Sequence, residues 1–317
     1  MIASTLASSP GAWLALVAAI VVLLAVDLLA VRGRGGEMGL RFAALASVTW
    51  VAIALAFAGV LLLAGERGAA GDYLAGYLVE KSLSLDNVFV FLLVFSGFGV
   101  AERARHRLLT YGIAGALVLR AGFIVAGAAA LGAASWIAFV FAGFLVYTGV
   151  KMLRHRHDHG AEAALVDRLK ARFPLTDEGA GEGRFMARRD GRRMLTTGGA
   201  ALAAIAIVDV LFAVDSVPAI LAITGDAFVV FAANAFALLG LRPLFFLVAE
   251  LVARLYYLKT ALALLLVFIG AKMAASELFG KIGPEYSLPG IAAILGTGVV
   301  ASLVRDRRQG EAAPGPA

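Results

Sequence analysis

Five carboxylates in this chain lie where its surroundings should penalise them. Glu80 and Asp86 fall inside one long apolar stretch, Asp209 and Asp215 inside another, and Asp27 near the end of a third. An ionised carboxylate at the middle of a membrane helix costs at least ~2.5–3.5 kcal/mol on insertion scales, so several of them imply partners. The sequence answers with two arginines, Arg120 and Arg242, each deep in an apolar run. Five acids against two arginines leave three negative charges for protons or a cation to balance. Asn87, Ser82, Ser84 and Ser216 add neutral oxygens beside the acids, and neither histidine nor sulfur is near. Such a donor set favours Mg, Ca or Mn over Zn or Cu. Glu80, Asp86, Asn87, Asp209, Asp215 and Ser216 are therefore the candidate ligands of a divalent cation, and Asp27, Arg120 and Arg242 the candidates for proton or charge coupling. The alternative is that the acids and the two arginines simply tie helices together.

Spacing supports a shared site. At 100° per residue Glu80 and Asn87 occupy one helix face, as do Asp209 and Ser216, while Asp86 and Asp215 lie about 120° round from their acid partners. Pro218 removes the hydrogen bond that the Val214 carbonyl would accept, which predicts a helix break and a free backbone oxygen beside Asp215. The two acid motifs are also two copies of one pattern. Glu80-Lys-Ser-Leu-Ser-Leu-Asp86-Asn-Val matches Asp209-Val-Leu-Phe-Ala-Val-Asp215-Ser-Val; Leu117-Val-Leu-Arg120 matches Leu239-Gly-Leu-Arg242; Gly149-Val-Lys151-Met152 matches Gly270-Ala-Lys272-Met273. These landmarks define a first repeat over 73–153 and a second over 195–275. Three spans per copy would turn the second upside down relative to the first, and inverted repeats of this kind place their substrate site at the midplane.

The elements that must hold these residues follow from composition. The chain has 317 residues, is 61% hydrophobic and only 16% charged, and has a mean hydropathy of +0.89. That excludes an ordinary soluble domain and predicts an all-α, polytopic membrane bundle. Runs long enough to cross ~30 Å of hydrocarbon predict about nine spans, near 11–31, 41–64, 73–99, 108–132, 134–153, 195–223, 228–253, 257–275 and 288–304. Arginines crowd the connections after the first, third and fifth spans and the tail from Arg305, while the other connections hold few. The positive-inside rule then puts the N-terminus outside and the C-terminus in the cytoplasm of a bacterial inner membrane. The net charge of +6 is thus topological and gives no reason to expect nucleic acid as a partner.

Between the copies, 154–194 reads as a cytoplasmic loop without a domain of its own. Its start, Arg154-His155-Arg156-His157-Asp158-His159, alternates imidazole with guanidinium, which repels a cation, so it is expected to be a solvated basic face. Lys151 and Lys272 are expected to snorkel at span ends, and Gly122, Gly127, Gly132 and Gly143 to let helices approach closely. The chain has no cysteine, which excludes disulfides, thiolate metal sites and cysteine nucleophiles. Neither a phosphate-binding loop nor a nucleophile triad is present, so no enzyme activity and no organic cofactor are expected.

The motifs from Glu80 to Asn87-Val-Phe-Val-Phe and from Asp209 to Asp215-Ser-Val-Pro-Ala-Ile resemble the signatures of the TerC family of integral membrane proteins. That family is named for tellurium resistance and belongs to a lysine-exporter-like superfamily, and its better understood members are implicated in manganese export. The resemblance implies that Asp86, Asn87, Asp209 and Asp215 occupy the family's acidic motif positions, with Glu80 beside them. The resulting expectation is a manganese exporter in which two inverted units rock around the carboxylates. Crowded like charges would let Glu80 or Asp209 carry an exchanged proton. Two other readings are a membrane partner of the secretion machinery that supplies metal to exported proteins, and a tellurite or oxyanion resistance factor. A net negative cavity argues against an oxyanion as direct substrate. The expected partners are the divalent cation, the lipid bilayer, the secretion machinery and further copies of the chain.

Overall fold

A computed structural model describes residues 9–32, 39–134, 136–154, 175–176, 185–189, 192–251, 256–280, 282 and 284–311. The apolar runs become helices α1 (Pro10–Arg32), α2 (Leu40–Leu63), α3 (Arg67–Gly97), α4 (Glu102–Ala133) and α5 (Trp136–Arg154). After the arginine-rich connection come α6 (Thr197–Leu221), α7 (Ala227–Leu239), α8 (Leu241–Leu251), α9 (Leu258–Phe279) and α10 (Pro284–Glu311). The expected spans fall on these helices. Both α3 and α4 begin several residues before the apolar stretch, because polar residues continue a helix as readily as apolar ones once it has nucleated.

Among the described residues seven helices are long and apolar enough to cross a membrane, and α7 with α8, bent by 46°, form an eighth candidate. The ninth expected span, α3, has 31 residues and is long enough, at ~1.5 Å per residue. Glu80, Lys81 and Asp86 make it too polar to count as a span on composition. Its surroundings explain how it tolerates them. α3 contributes to three apolar clusters, through Val88, Val90, Phe91, Val94 and Phe95, through Tyr73 and Tyr77, and through Ala75 and Val79. It packs against α2, α6, α7, α8 and α10. Glu80 is thus enclosed by protein, while the large apolar side chains left exposed, such as Leu14, Val22, Leu45, Val118 and Val140, sit on outer helices. An apolar exterior of that extent suits lipid and not water.

The most extensive helix pair is α5 with α9. A Cβ added at Gly149 would lie 2.7 Å from the Ala263 carbonyl oxygen and 2.8 Å from Val267 Cγ2. One added at Gly270 would lie 2.8 Å from the Ala142 carbonyl oxygen and 2.9 Å from Val146 Cγ2. The early part of α5 meets the late part of α9, so the two run antiparallel. The contact is reciprocal: one offset along the chain relates Gly149 to Gly270, Ala142 to Ala263 and Val146 to Val267.

Four expectations need correction. First, the chain is not purely α-helical. Strands β1 (Leu175–Thr176), β2 (Met186–Arg189) and β3 (Arg192–Thr196) form a small sheet in the order β1-β3-β2, with β1 parallel and β2 antiparallel to β3. Asp190-Gly191, between β2 and β3, is a sequence signal for a tight hairpin that the loop reading overlooked. The sheet runs straight into α6, whose first turn is capped by Thr196 Oγ1, 3.0 Å from the Gly199 amide. The histidine tract 155–159 lies outside the described residues.

Second, α6 continues unbroken through Pro218. The break comes instead at Gly240, between α7 and α8. Pro243 cannot donate to the Leu239 carbonyl, which frees the last turn of α7. A Cβ at Gly240 would sit 3.0 Å from Trp50 Cβ and 2.7 Å from Lys81 Nζ, so glycine is what admits α2 and α3 here. Third, of Gly122, Gly127, Gly132 and Gly143, only Gly127 makes a close approach, with an added Cβ falling 2.7 Å from Leu221 Cδ1 on α6. Fourth, Lys272 is buried at 6% exposure and is not an interfacial snorkeller, whereas Lys151 is exposed as expected.

Candidate functional site: a carboxylate pair on one guanidinium

Arg120 projects from the middle of α4 into the contact between α3 and α6 and is 1% exposed. Its Nη1 is paired with Glu80 Oε1 on α3. The same nitrogen donates to Ser216 Oγ on α6 at 3.2 Å, and Nη2 donates to Asp209 Oδ1 on α6 at 3.3 Å. Asp209 and Ser216, seven residues apart, do share a face, and that face is turned to the arginine. One guanidinium thus answers two carboxylates, one from each of the two acid motifs.

The second oxygens tell the rest. Glu80 Oε2 and Asp209 Oδ2 are buried, with no hydrogen-bond partner among the described residues, and Ser84 Oγ nearby in sequence is likewise unpartnered. Buried carboxylate oxygens without donors are costly. The cluster therefore carries one uncompensated negative charge when both acids are ionised, together with oxygens able to accept a proton or a cation.

The other candidate residues take different places. Asn87 is buried at 2% exposure on the Glu80 face of α3. Asp215, about a third of a turn from Asp209, faces α5 and accepts from Thr148 Oγ1 at 3.5 Å. Asp86 lies on α3 beside Asn87, and its side chain is outside the described part of the structure. Arg242 and Asp27 form a second ion pair, Nη2 to Oδ2 at 2.9 Å, with 2% and 14% of their side chains exposed. Arg242 also donates to the Asp27 main-chain carbonyl, and its Nη1 donates to Thr110 Oγ1 at 3.2 Å. Among the described residues no three acidic or histidine side chains converge tightly enough to hold a metal ion in this conformation. What converges is Glu80, Asp209 and Ser216, around the arginine.

Two basic groups have places that the sequence does not give. Lys81, adjacent to Glu80, donates from Nζ to the Ala237 carbonyl at 3.4 Å, near the C-terminal end of α7. A cation there meets the negative end of the α7 dipole and carbonyls freed by the break. Its signal was plain, an ammonium inside the acid motif itself, yet only the arginines were set against the acids. Lys272 lines a cavity of about 480 Å³ at the ends of α4, α6 and α9, with Thr224, Ser276 and Glu277. Lys272 itself is enclosed by protein, whereas the last turn of α9 beyond it is open, with Leu278 and Phe279 exposed.

A polytopic helical bundle with a buried acid and arginine cluster between two related motifs is an integral membrane protein built to keep charge out of lipid. The model of the integral membrane protein TerC family matches residues 64–310, and the chain belongs to that family. It is 42% identical over 302 residues to an uncharacterized membrane protein of Myxococcus xanthus, covering 94% of each chain. It is 39% identical over 282 residues to a candidate membrane-bound redox modulator, Alx, of Escherichia coli strain K12, covering 86% of this chain and 88% of that one. It is 32% identical to an uncharacterized membrane protein of Rickettsia felis, covering 92% of this chain and 97% of that one. No solved structure matches it.

Proposed function

We propose that this protein exports a divalent cation, manganese first, across the bacterial inner membrane in exchange for protons. The observation that carries the reading is the Arg120 cluster: two carboxylates from separate motif copies share one guanidinium and keep a buried oxygen each without a donor. A dication brought between them would satisfy those oxygens, with Asn87, Ser216, Asp86 and Asp215 as further oxygen ligands and Arg120 withdrawn. In the absence of the ion, a proton or the arginine holds the charge. The cation is the cargo of the site, and no organic cofactor is needed.

In this reading α3 is a ninth span, the N-terminus is outside, and α3–α5 and α6–α9 are inverted copies that rock about their contact. The reciprocal closure of Gly149 on Ala263 and Gly270 on Ala142 supports a two-fold relation between the copies. The E. coli relative is described as a candidate redox modulator. This chain has no cysteine, so a redox effect here would run through a redox-active cation and not through thiol exchange. The test is flux in sealed vesicles containing the purified protein alone. Manganese movement is expected, and Asp86→Asn or Asp215→Asn should abolish it. A protein that moves no divalent ion unless secretory components are added would replace the exporter with a metal-supplying partner of secretion.

A further inference from the structure

The repeat assigns Arg242 the place of Arg120, Asp209 that of Glu80, and Ser216 that of Asn87. Arg120 holds Glu80, Asp209 and Ser216. Exchanging the copies, Arg242 should hold Asp209, Glu80 and Asn87. It holds none of them. Its guanidinium is instead fixed by the Asp27 carboxylate at 2.9 Å, the Asp27 main-chain carbonyl and the Thr110 hydroxyl at 3.2 Å. Thr110 is oriented for this by donating its own proton to the His106 carbonyl at 3.0 Å. Asp27 belongs to α1, outside both copies, and has no repeat counterpart. The departure from two-fold symmetry is therefore supplied by a helix that the repeat does not include.

The electrostatic consequence falls on the acid pair. With Arg120 alone, Glu80 and Asp209 retain one negative charge and two unpartnered buried oxygens. With both arginines present they would be neutralised and the oxygens filled, and a dication would find neither charge nor ligand. We propose that Asp27, assisted by Thr110, is a positioning residue that holds Arg242 away from Glu80 and Asp209, and that the two arginines exchange places at the acid pair as the site turns between the two sides of the membrane. The inference rests on the proposed cation site for its purpose, but its geometry can be tested without any cation.

The closing experiment is a cycle of thermal stability on the full-length protein in nanodiscs with excess chelator, comparing wild type, Arg120→Gln, Asp27→Asn and the double variant. Arg120→Gln strips the acid pair of its cation. In the Asp27→Asn background Arg242 is released to take its place, so the loss in melting temperature caused by Arg120→Gln should fall to less than about half of its wild-type value, a non-additivity expected for groups sharing one network. Adding Arg242→Gln to the double variant should restore the full loss. Thr110→Ala gives the same sign where Asp27→Asn does not yield folded protein. Additive losses, or relief that persists without Arg242, overturn the proposal. Manganese binding read in parallel separates the two claims. Wild-type protein that binds no divalent ion defeats the cation site whatever the cycle gives. If the ion binds, Asp27→Asn should weaken binding roughly 5- to 150-fold, the usual range of coupling between sites.

Discussion

Replacing Arg120 by glutamine removes one charge and leaves two carboxylates facing each other. Glu80 is 0% and Asp209 2% exposed, so water cannot replace the lost donors without opening the contact between α3 and α6. An exposed ion pair would contribute ~1 kcal/mol or less. Here three contacts end on one guanidinium, and removal of one partner of a buried pair costs about 3–5 kcal/mol. With a loss of roughly 2–4 °C per kcal/mol for a protein of moderate size, the melting temperature of chelated protein should fall by the order of 10 °C. The same substitution doubles the net negative charge of the cluster, so a divalent ion should recover more stability in the variant than it adds to wild type. An ion at 100 times its dissociation constant returns about 2.7 kcal/mol. Thermal melts in detergent or nanodiscs, with chelator and with millimolar manganese or magnesium, read both effects. A variant as stable as wild type refutes the account of the cluster. A destabilised variant indifferent to every divalent ion leaves the ion pair standing and refutes the cation site.

Three other substitutions test the frame. Gly149→Ala and Gly270→Ala should each cost about 1–3 kcal/mol by overpacking, and to similar extents because their contacts are reciprocal; melting temperatures that differ widely between them would deny that equivalence. Asp226→Ala removes the oxygen that accepts from the Phe228 and Val229 amides at 3.0 and 3.3 Å, and should lower stability by about 0.5–2 kcal/mol in the same melts.

Hydrophobic runs of the right length placed nearly every helix, because a span is a property of many residues and survives local exceptions. The expected repeat rests on a related rule: charges inside apolar runs are rare enough that matching a few of them in order carries weight. Pairing was not legible. Glu80, Asp209, Arg120 and Ser216 could be named as one group, but the fact that a single arginine serves both acids while its counterpart turns to Asp27 depends on tertiary packing. Lys81 was visible and passed over, since its neighbours made it look like part of an acidic motif, and only its contact with the end of α7 gives it a purpose. The helix break was assigned to Pro218 by a rule about missing donors. That rule applied equally to Pro243, where Gly240 and the packing of Trp50 let the chain bend.

The two ion pairs do not share a landlord. Arg120 and its acids meet at the buried contact of α3, α4 and α6, so their relative positions are fixed by packing within the chain. Asp27 rides on α1, which keeps Leu16 and Ile20 against the body and turns Leu14, Val17, Val21, Val22, Val26 and Leu29 outward. A helix with so much surface given to lipid also answers a mismatch with the bilayer by tilting, within the limits its packing allows. The grip on Arg242 thereby answers partly to the membrane, and the grip on Glu80 and Asp209 chiefly to contacts between helices.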